Sequence, residues 1–378
     1  MTDVLIHADT DRDPTMRHEV PLTVPDPFLY VEHDGRRYAV ITAFERERLG
    51  AAAPDIEALA PEQFGMDELL RAGTPPAEAW LEVYTRALRE IGVGEASIPS
   101  RFPVEIADHL RAQGVTLRVD RELFDGRRRS KTAAEIAGLR RAQRACEAAL
   151  DVARKMLRES EARGGYLHLG GEPLTSERIK AEMQVVFIAH GAVADEFIVA
   201  SGPQGAVGHD MGSGPIAADL PVVFDLWPRD TQTAVYTDMT RTYVVGTVPD
   251  EIGEYHRLCK EALDRTAEAA RPGVNGRALM QIACDLFAEH GYPTQLTKQP
   301  GEVLDSGFFH GLGHGVGLEV HERPRLSVTG DELVPGDVIT LEPGLYRAGY
   351  GGVRLEDILL VTDDGVETVT QYPYDLAP

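Results

Sequence analysis

The fold class this sequence predicts is α/β (α+β) in two domains, a smaller one over residues 1–128 and a larger one over residues 129–378. Three observations lead there. A chain of 378 residues is longer than one core of ordinary size requires. Its first third alternates strand-patterned and helix-patterned segments, which suggests a sheet with helices packed on it. A polar, basic stretch, Asp125 to Ser130 (DGRRRS), then breaks the pattern and reads as a solvated linker between the domains.

Each element follows in turn. Phe28 to Thr42 (FLYVEHDGRRYAVIT) predicts a hairpin turning on Asp34-Gly35, a dipeptide favoured in tight turns. A helix is expected after Thr74, with Pro75 and Pro76 in its first turn and Gly92 at its end. Trp80, Tyr84, Leu88 and Ile91 would share its buried face. A second helix runs from about Pro103 to Gln113, stops at Gly114, and leads into a strand, VTLRVD. Past the linker, Ile136, Leu139, Cys146, Leu150 and Ala153 recur on one face of a long amphipathic helix. A helix from about Thr175 to His190 closes at Gly191, and FIVASG follows as a strand. Two later helices carry Ile252, Tyr255, Leu258 and Ala262, then Leu279, Ile282 and Leu286 up to Gly291.

Composition narrows the function. Hydrophobic residues make up 43% and charged residues 26%, as in globular proteins. The 61 acidic residues outnumber 38 basic ones, a net charge of −23 that repels nucleic acid and anionic membranes and sets both aside as partners. Cys146, Cys259 and Cys284 are scattered, without a CxxC, and read as small buried or half-buried thiols in a reducing compartment. The first residues, MTDVLIHADTDRD, are polar and acidic, unlike a signal peptide. No run approaches the ~18 apolar residues of a membrane helix. The expectation is a cytoplasmic protein.

Two segments echo one another. LPVVFDLW…YTDMTRTYVV and DVITLEPGLY…GVRLEDILLV each join an apolar strand ending in a carboxylate to a second strand carrying another. The pairs are Asp225/Asp238 and Glu342/Glu356. Two such hairpins facing each other would converge four carboxylates on one cavity. Ionised carboxylates inside apolar strands are costly unless paired or metal-bound. A strand end reaching water explains any one of them, but all four together need four coincidences.

The stretch HGLGHGVGLEVHE, residues 310–322, adds His310, His314 and His321 among Gly311, Gly313, Gly315 and Gly317. It is not HExxH, and glycines lacking side chains let a ligand or another backbone come close. Oxygen-rich ligation with one imidazole suits Mn²⁺, Co²⁺ or Zn²⁺. Four carboxylates are too many for one catalytic ion but suit two divalent ions ~3.5–4 Å apart. Such ions would supply hydroxide near neutral pH and polarise a carbonyl, pointing to hydrolysis of an amide or ester. His209, in SGPQGAVGHDMG, could donate a hydrogen bond or shuttle a proton. The other eight histidines read as surface or helix-end residues.

Taken together, ASGPQGAVGH, VVFDLWP…YTDMTRT, HGLGHGVGLEVHERP, ITLEPGLY and GVRLEDILLV resemble the pita-bread metallopeptidase family, in particular its proline-specific branch of aminopeptidase P and prolidase. The resemblance runs from about residue 130 to 378. It implies a C-terminal pita-bread catalytic domain preceded by a creatinase-like N-terminal domain. It implies that Asp225 binds one ion, His314 and Glu342 the other, while Asp238 and Glu356 bridge both. Glu342 would also act as general acid/base, His209 and His321 would stabilise substrate and tetrahedral intermediate, and His310 would line the pocket. Arg354 would orient a ligand carboxylate. The implied substrate is a peptide with proline second, and the implied assembly a homodimer. Arg325, in HERPRL, is placed like the prolidase residue that holds the product carboxylate. The connection between Asp225 and Asp238 is two residues longer than the family's commonest form, with the extra length in WPRDTQT. Two other readings stand beside this one: a pita-bread protein that binds peptides or partners without catalysis, and a metal-independent creatinase-like amidinohydrolase.

Overall fold

The computed structural model describes residues 2–378. The chain divides into two compact units, one ending at Arg128 and the other spanning Arg129–Pro378.

In the first unit six strands form one mixed sheet, in the order Ile56–Leu59, Arg36–Val40, Phe28–His33, Val4–Ala8, Glu95–Ile98 and Thr116–Val119. Successive residues of a strand face opposite sides, and both sides are apolar here. Leu5, Leu29 and Val31 meet Val83, Ala87 and Leu88 on one face, while Ile6, Phe28 and Tyr30 meet Met16, Val20 and Leu49 on the other. The expected hairpin pairs His33 with Arg36. Its turn residues, Asp34 (φ 48°) and Gly35 (φ 76°), adopt the left-handed conformation that matches strand twist.

Helix Pro76–Ile91 ends at Gly92 (φ 100°), and Pro75 is its cap rather than part of its first turn. Its buried face is broader than the sequence pattern: Ala79, Val83 and Ala87 are fully buried beside Tyr84 and Leu88, whereas Trp80 and Ile91 sit at the edge. Alanine carries little hydrophobic signal, yet it permits the close helix–sheet approach. Helix Val104–Ala112 and strand Thr116–Val119 follow as expected.

The DGRRRS stretch is not a solvated linker. Residues Arg121–Arg129 form a helix. Arg127 Nη1 donates to Glu32 Oε2 at 2.9 Å, and Arg128 is 7% exposed. Arg129 Nε donates to Asp337 Oδ1 at 2.9 Å, and Asp337 is fully buried. The half-buried Glu32 and the fully buried Asp337 recruit Arg127 and Arg129, and their distance along the chain hid that from composition.

The second unit repeats one plan. Helices Ala133–Arg158 and Ser176–Ala189 pack through Cys146, Leu150, Met183 and Phe187 against the sheet Ile198–Ser201, Pro221–Leu226, Met239–Val244. Helices Asp250–Ala269 and Gly276–Glu289 pack through Leu258, Ala262, Leu279 and Phe287 against a five-stranded sheet that includes Gly313–Gly315, Val338–Leu341 and Asp357–Val361. The three cysteines are free and buried. Among the described residues no helix is long and apolar enough to cross a membrane.

Candidate metal centre

Strand register brings the carboxylates together. Pro221–Leu226 runs antiparallel to Met239–Val244 with Asp225 opposite Thr240, so Asp238 stands just before the partner strand. In the echo, Leu341 pairs with Asp357, which sets Glu342 just beyond one strand and Glu356 just before the other. The echo is not one simple hairpin: Gly344–Arg347 and Gly351–Arg354 form a separate two-stranded ribbon between the pair. The two halves join where Glu356 N donates to Thr240 O at 3.1 Å.

His314 enters from strand Gly313–Gly315, wedged between two neighbours. A Cβ at Gly313 would lie 2.1 Å from Thr340 O, and one at Gly315 would lie 2.1 Å from Arg323 O. Neither glycine needs a left-handed backbone, so close approach is what requires them. The backbone N–H of Glu342 donates to Leu312 O at 2.8 Å and fixes the segments carrying His314 and Glu342 in register.

One oxygen or nitrogen each of Asp238, His314 and Glu356 lies within 4.8 Å of the other two. His314 Nε2 is 3.6 Å from Glu342 Oε1 and 3.9 Å from Asp238 Oδ2. Its Nδ1 lies 3.1 Å from Gly315 O, which favours the proton there and leaves the Nε2 lone pair facing the carboxylates. Asp225 is turned to Arg354, whose Nη2 donates to Asp225 Oδ2 at 2.5 Å. Asp238 Oδ1 is buried and has no hydrogen-bond partner among the described residues.

Charge is unbalanced in this enclosure. Four carboxylates face one guanidinium. Burial pushes the Asp238 and Glu356 carboxyls well above their ordinary range, and the neighbouring carboxylates push further. Burial raises Glu342 to about 8, with Arg354 opposing and Asp225 adding to it. Burial also holds His314 and His310 down to about 3, so both imidazoles are neutral. An orphaned buried oxygen, clustered acids and one neutral imidazole are what hard divalent cations require, and the residues present fit them.

All nine residues lie on one cavity of about 610 Å³: Asp225, Asp238, His314, Glu342, Glu356, His209, His310, His321 and Arg354. His209 and His321 are its exposed members. The rings of His321 and His314 are 4.2 Å apart. Burial lowers the His321 imidazole and the His209 ring adds to that. Arg325 stands apart. It pairs with His314 across adjacent strands, is exposed, and does not line the cavity.

Several contributors escaped sequence reasoning. Thr240 Oγ1 donates to Glu356 Oε2 at 2.7 Å and receives Arg354 Nε at 3.3 Å. Its signal was available: it sits two residues from Asp238, hence on the same side of an extended chain. Tyr346 OH receives Arg354 Nη1 at 2.8 Å and lies 2.9 Å from His310 Nε2. Trp227 and Phe309 supply apolar wall; nothing in their spacing marks them. The long WPRDTQT connection is anchored by Asp230, which receives Arg141 through two bonds of 2.9 Å. Among the histidines read as surface or helix-end residues, His7 instead lies within strand Val4–Ala8, its Nε2 3.1 Å from Tyr84 OH. His256 is in mid-helix, with one ring nitrogen buried.

A family model described as metallopeptidase family M24 matches residues 137–363. An Xaa-Pro dipeptidase from Pyrococcus furiosus is 37% identical over 207 residues, covering 52% of this chain and 54% of that protein. The chain thus spans about half the length of the curated relatives it matches. The solved prolidase from Pyrococcus horikoshii OT3 aligns with a TM-score of 0.76 and 26% identity, covering 100% of this chain and 95% of that one. An X-Pro aminopeptidase structure from Thermotoga maritima shares the fold, with a TM-score of 0.79 and 21% identity over 98% of this chain and 96% of that one.

Proposed function

Because this chain belongs to metallopeptidase family M24, we propose that it hydrolyses the peptide bond between an N-terminal residue and proline, as an Xaa-Pro dipeptidase. One observation carries the reading: four carboxylates and the Nε2 of His314 converge on one cavity around a buried oxygen that lacks a partner. The activity for which these relatives are named, Xaa-Pro dipeptidase, supports the substrate class.

Asp225, Asp238, His314, Glu342 and Glu356 would hold two divalent ions, manganese first, cobalt or zinc as substitutes. Bound there, the ions would make a water nucleophilic near neutral pH and polarise the scissile carbonyl. The chain's own groups do the rest. Glu342, set at the cavity wall, takes the proton from the attacking water and returns it to the departing proline nitrogen. His209 and His321, at the exposed side, donate hydrogen bonds to the substrate and to the oxyanion it develops. His310, held neutral and tied to Tyr346, forms the wall beside Glu342, with its Nδ1 3.8 Å from Glu342 Oε2. Arg354 holds Asp225 in place and offsets part of the acid cluster. Phe309 and Trp227 offer apolar surface to a pyrrolidine ring. The creatinase-like identity of the N-terminal unit, a homodimer and a cytoplasmic location belong to the same reading.

A second reading, aminopeptidase P, is favoured by the position of Arg325 outside the cavity lining. A dipeptidase needs a cation for the product carboxylate, and Arg325 is the sequence's candidate. The experiment uses chelator-stripped protein with an Xaa-Pro dipeptide and an Xaa-Pro-Xaa tripeptide, with and without Mn²⁺. Metal-dependent cleavage of the dipeptide alone supports the dipeptidase and gives Arg325 its role. Preference for the tripeptide supports aminopeptidase P. Metal uptake with neither peptide cleaved sinks both, and no metal uptake leaves a peptide-binding protein or a metal-independent hydrolase.

A further inference from the structure

The N-terminal unit contains a cavity of about 450 Å³ whose lining residues all fall before residue 107. That volume lies within the ~300–1,000 Å³ usual for small-molecule sites. Its walls come from the central sheet and from helix Pro76–Ile91. Trp80 and Tyr84, one helical turn apart, present rings 5.5 Å from each other. Tyr84 OH is 3.1 Å from His7 Nε2, while His7 Nδ1 is buried without a partner among the described residues. Leu81 and Ile106 continue the apolar surface.

The charge pattern is one-sided. Asp26 and Glu105 line the cavity, are exposed, and form no ion pair among the described residues. Glu45 also lines it but is neutralised by Arg48 at 2.5 Å. No lysine or arginine lines the cavity among the described residues. Such a site attracts a cation and repels an anion, and a chain of net charge −23 strengthens the bias. An indole and a phenol add faces on which an ammonium is attracted.

We infer that this cavity binds a small hydrophobic ammonium compound, with its apolar body against Trp80, Leu81 and Ile106 and its charged nitrogen beside Asp26 and Glu105. Its lining shares no residue with the metal-centre cavity, and its binding is read without any peptide cleavage.

The chain has two tryptophans, Trp80 and Trp227, so Trp227→Phe leaves Trp80 as the sole reporter. Phenethylammonium, 3-phenylpropionate and 2-phenylethanol serve as probes of matched size and different charge. The expected result is a saturable change in Trp80 emission with phenethylammonium and binding at least ten-fold weaker for the other two. Asp26→Asn with Glu105→Gln should weaken phenethylammonium binding roughly ten-fold, as removal of two exposed charge contacts allows. Made in the chain that keeps Trp227, the same double variant should leave metal uptake and peptide cleavage unchanged and melt at the wild-type temperature. No saturable response overturns the inference, as does an equal response to the neutral or anionic probe. Wild-type affinity in the double variant also overturns it. So does a response that disappears as protein concentration rises, which would mean that a second copy covers the cavity, against the exposed Phe44 and Val104.

Discussion

Thr240 shows how much one hydroxyl can organise. It is fully buried, donates to Glu356 and receives Arg354, which in turn holds Asp225. Thr240→Val keeps the shape and removes the link. Groups that orient metal ligands commonly contribute ~10–100-fold to affinity, so Mn²⁺ binding measured by calorimetry should weaken by about that factor. Thr240→Ser should restore most of it; wild-type affinity in the valine variant would remove Thr240 from this role. The acids themselves were legible from the sequence, because a carboxylate inside an apolar strand is conspicuous. Thr240 was marked only by its spacing from Asp238 and Tyr346 by nothing, since threonine and tyrosine are ordinary strand residues and their partners are over a hundred residues away or across a ribbon.

At the scale of elements, hydrophobic period and punctuation located the helices well. Gly92, Gly191 and Gly291 end or follow three of them with left-handed backbones. The pattern failed where electrostatics replaced hydrophobicity. The arginine-rich helix Arg121–Arg129 offers only the adjacent Leu123 and Phe124 to the core, too few for a helical period to reveal it, and its Arg127 pairs with Glu32. The glycine-rich strand at Gly313–Gly315 is the opposite case, a poor strand former whose lack of side chains is its function. Gly313→Ala would place a methyl 2.1 Å from a backbone oxygen. Backbone cannot yield as a flexible side chain does, so a loss of about 2–4 kcal/mol in denaturant titration is expected. Metal affinity should fall with it, because His314 is the next residue; a variant as stable as wild type would show that the strand can shift apart at no cost.

For the molecule as a whole, acid stability should depend on a residue remote in sequence from the proposed metal ligands. Burial lowers His7 from 6.5 to about 4. The unfolded chain therefore binds this proton more readily, and stability present above pH 6.5 is lost as pH falls toward 4. The shift corresponds to roughly 3 kcal/mol. His7→Gln should flatten the pH dependence of unfolding across that window relative to wild type, as read by denaturant titration at several pH values; parallel curves would refute the assignment.

The donors of the proposed metal cage are divided along the chain: Asp225 and Asp238 precede the helix Asp250–Ala269, while His314, Glu342 and Glu356 follow it. Neither portion carries a full ligand set. A backbone cut in the Gly246–Pro249 connection would leave two fragments, each with its own helices and strands but only part of the cage. Ion capture by the mixture would then obey second-order kinetics in the fragments, and tight Mn²⁺ uptake by either fragment alone would contradict the shared cage. The ion would act as a clasp whose closing reports that the two portions have found each other.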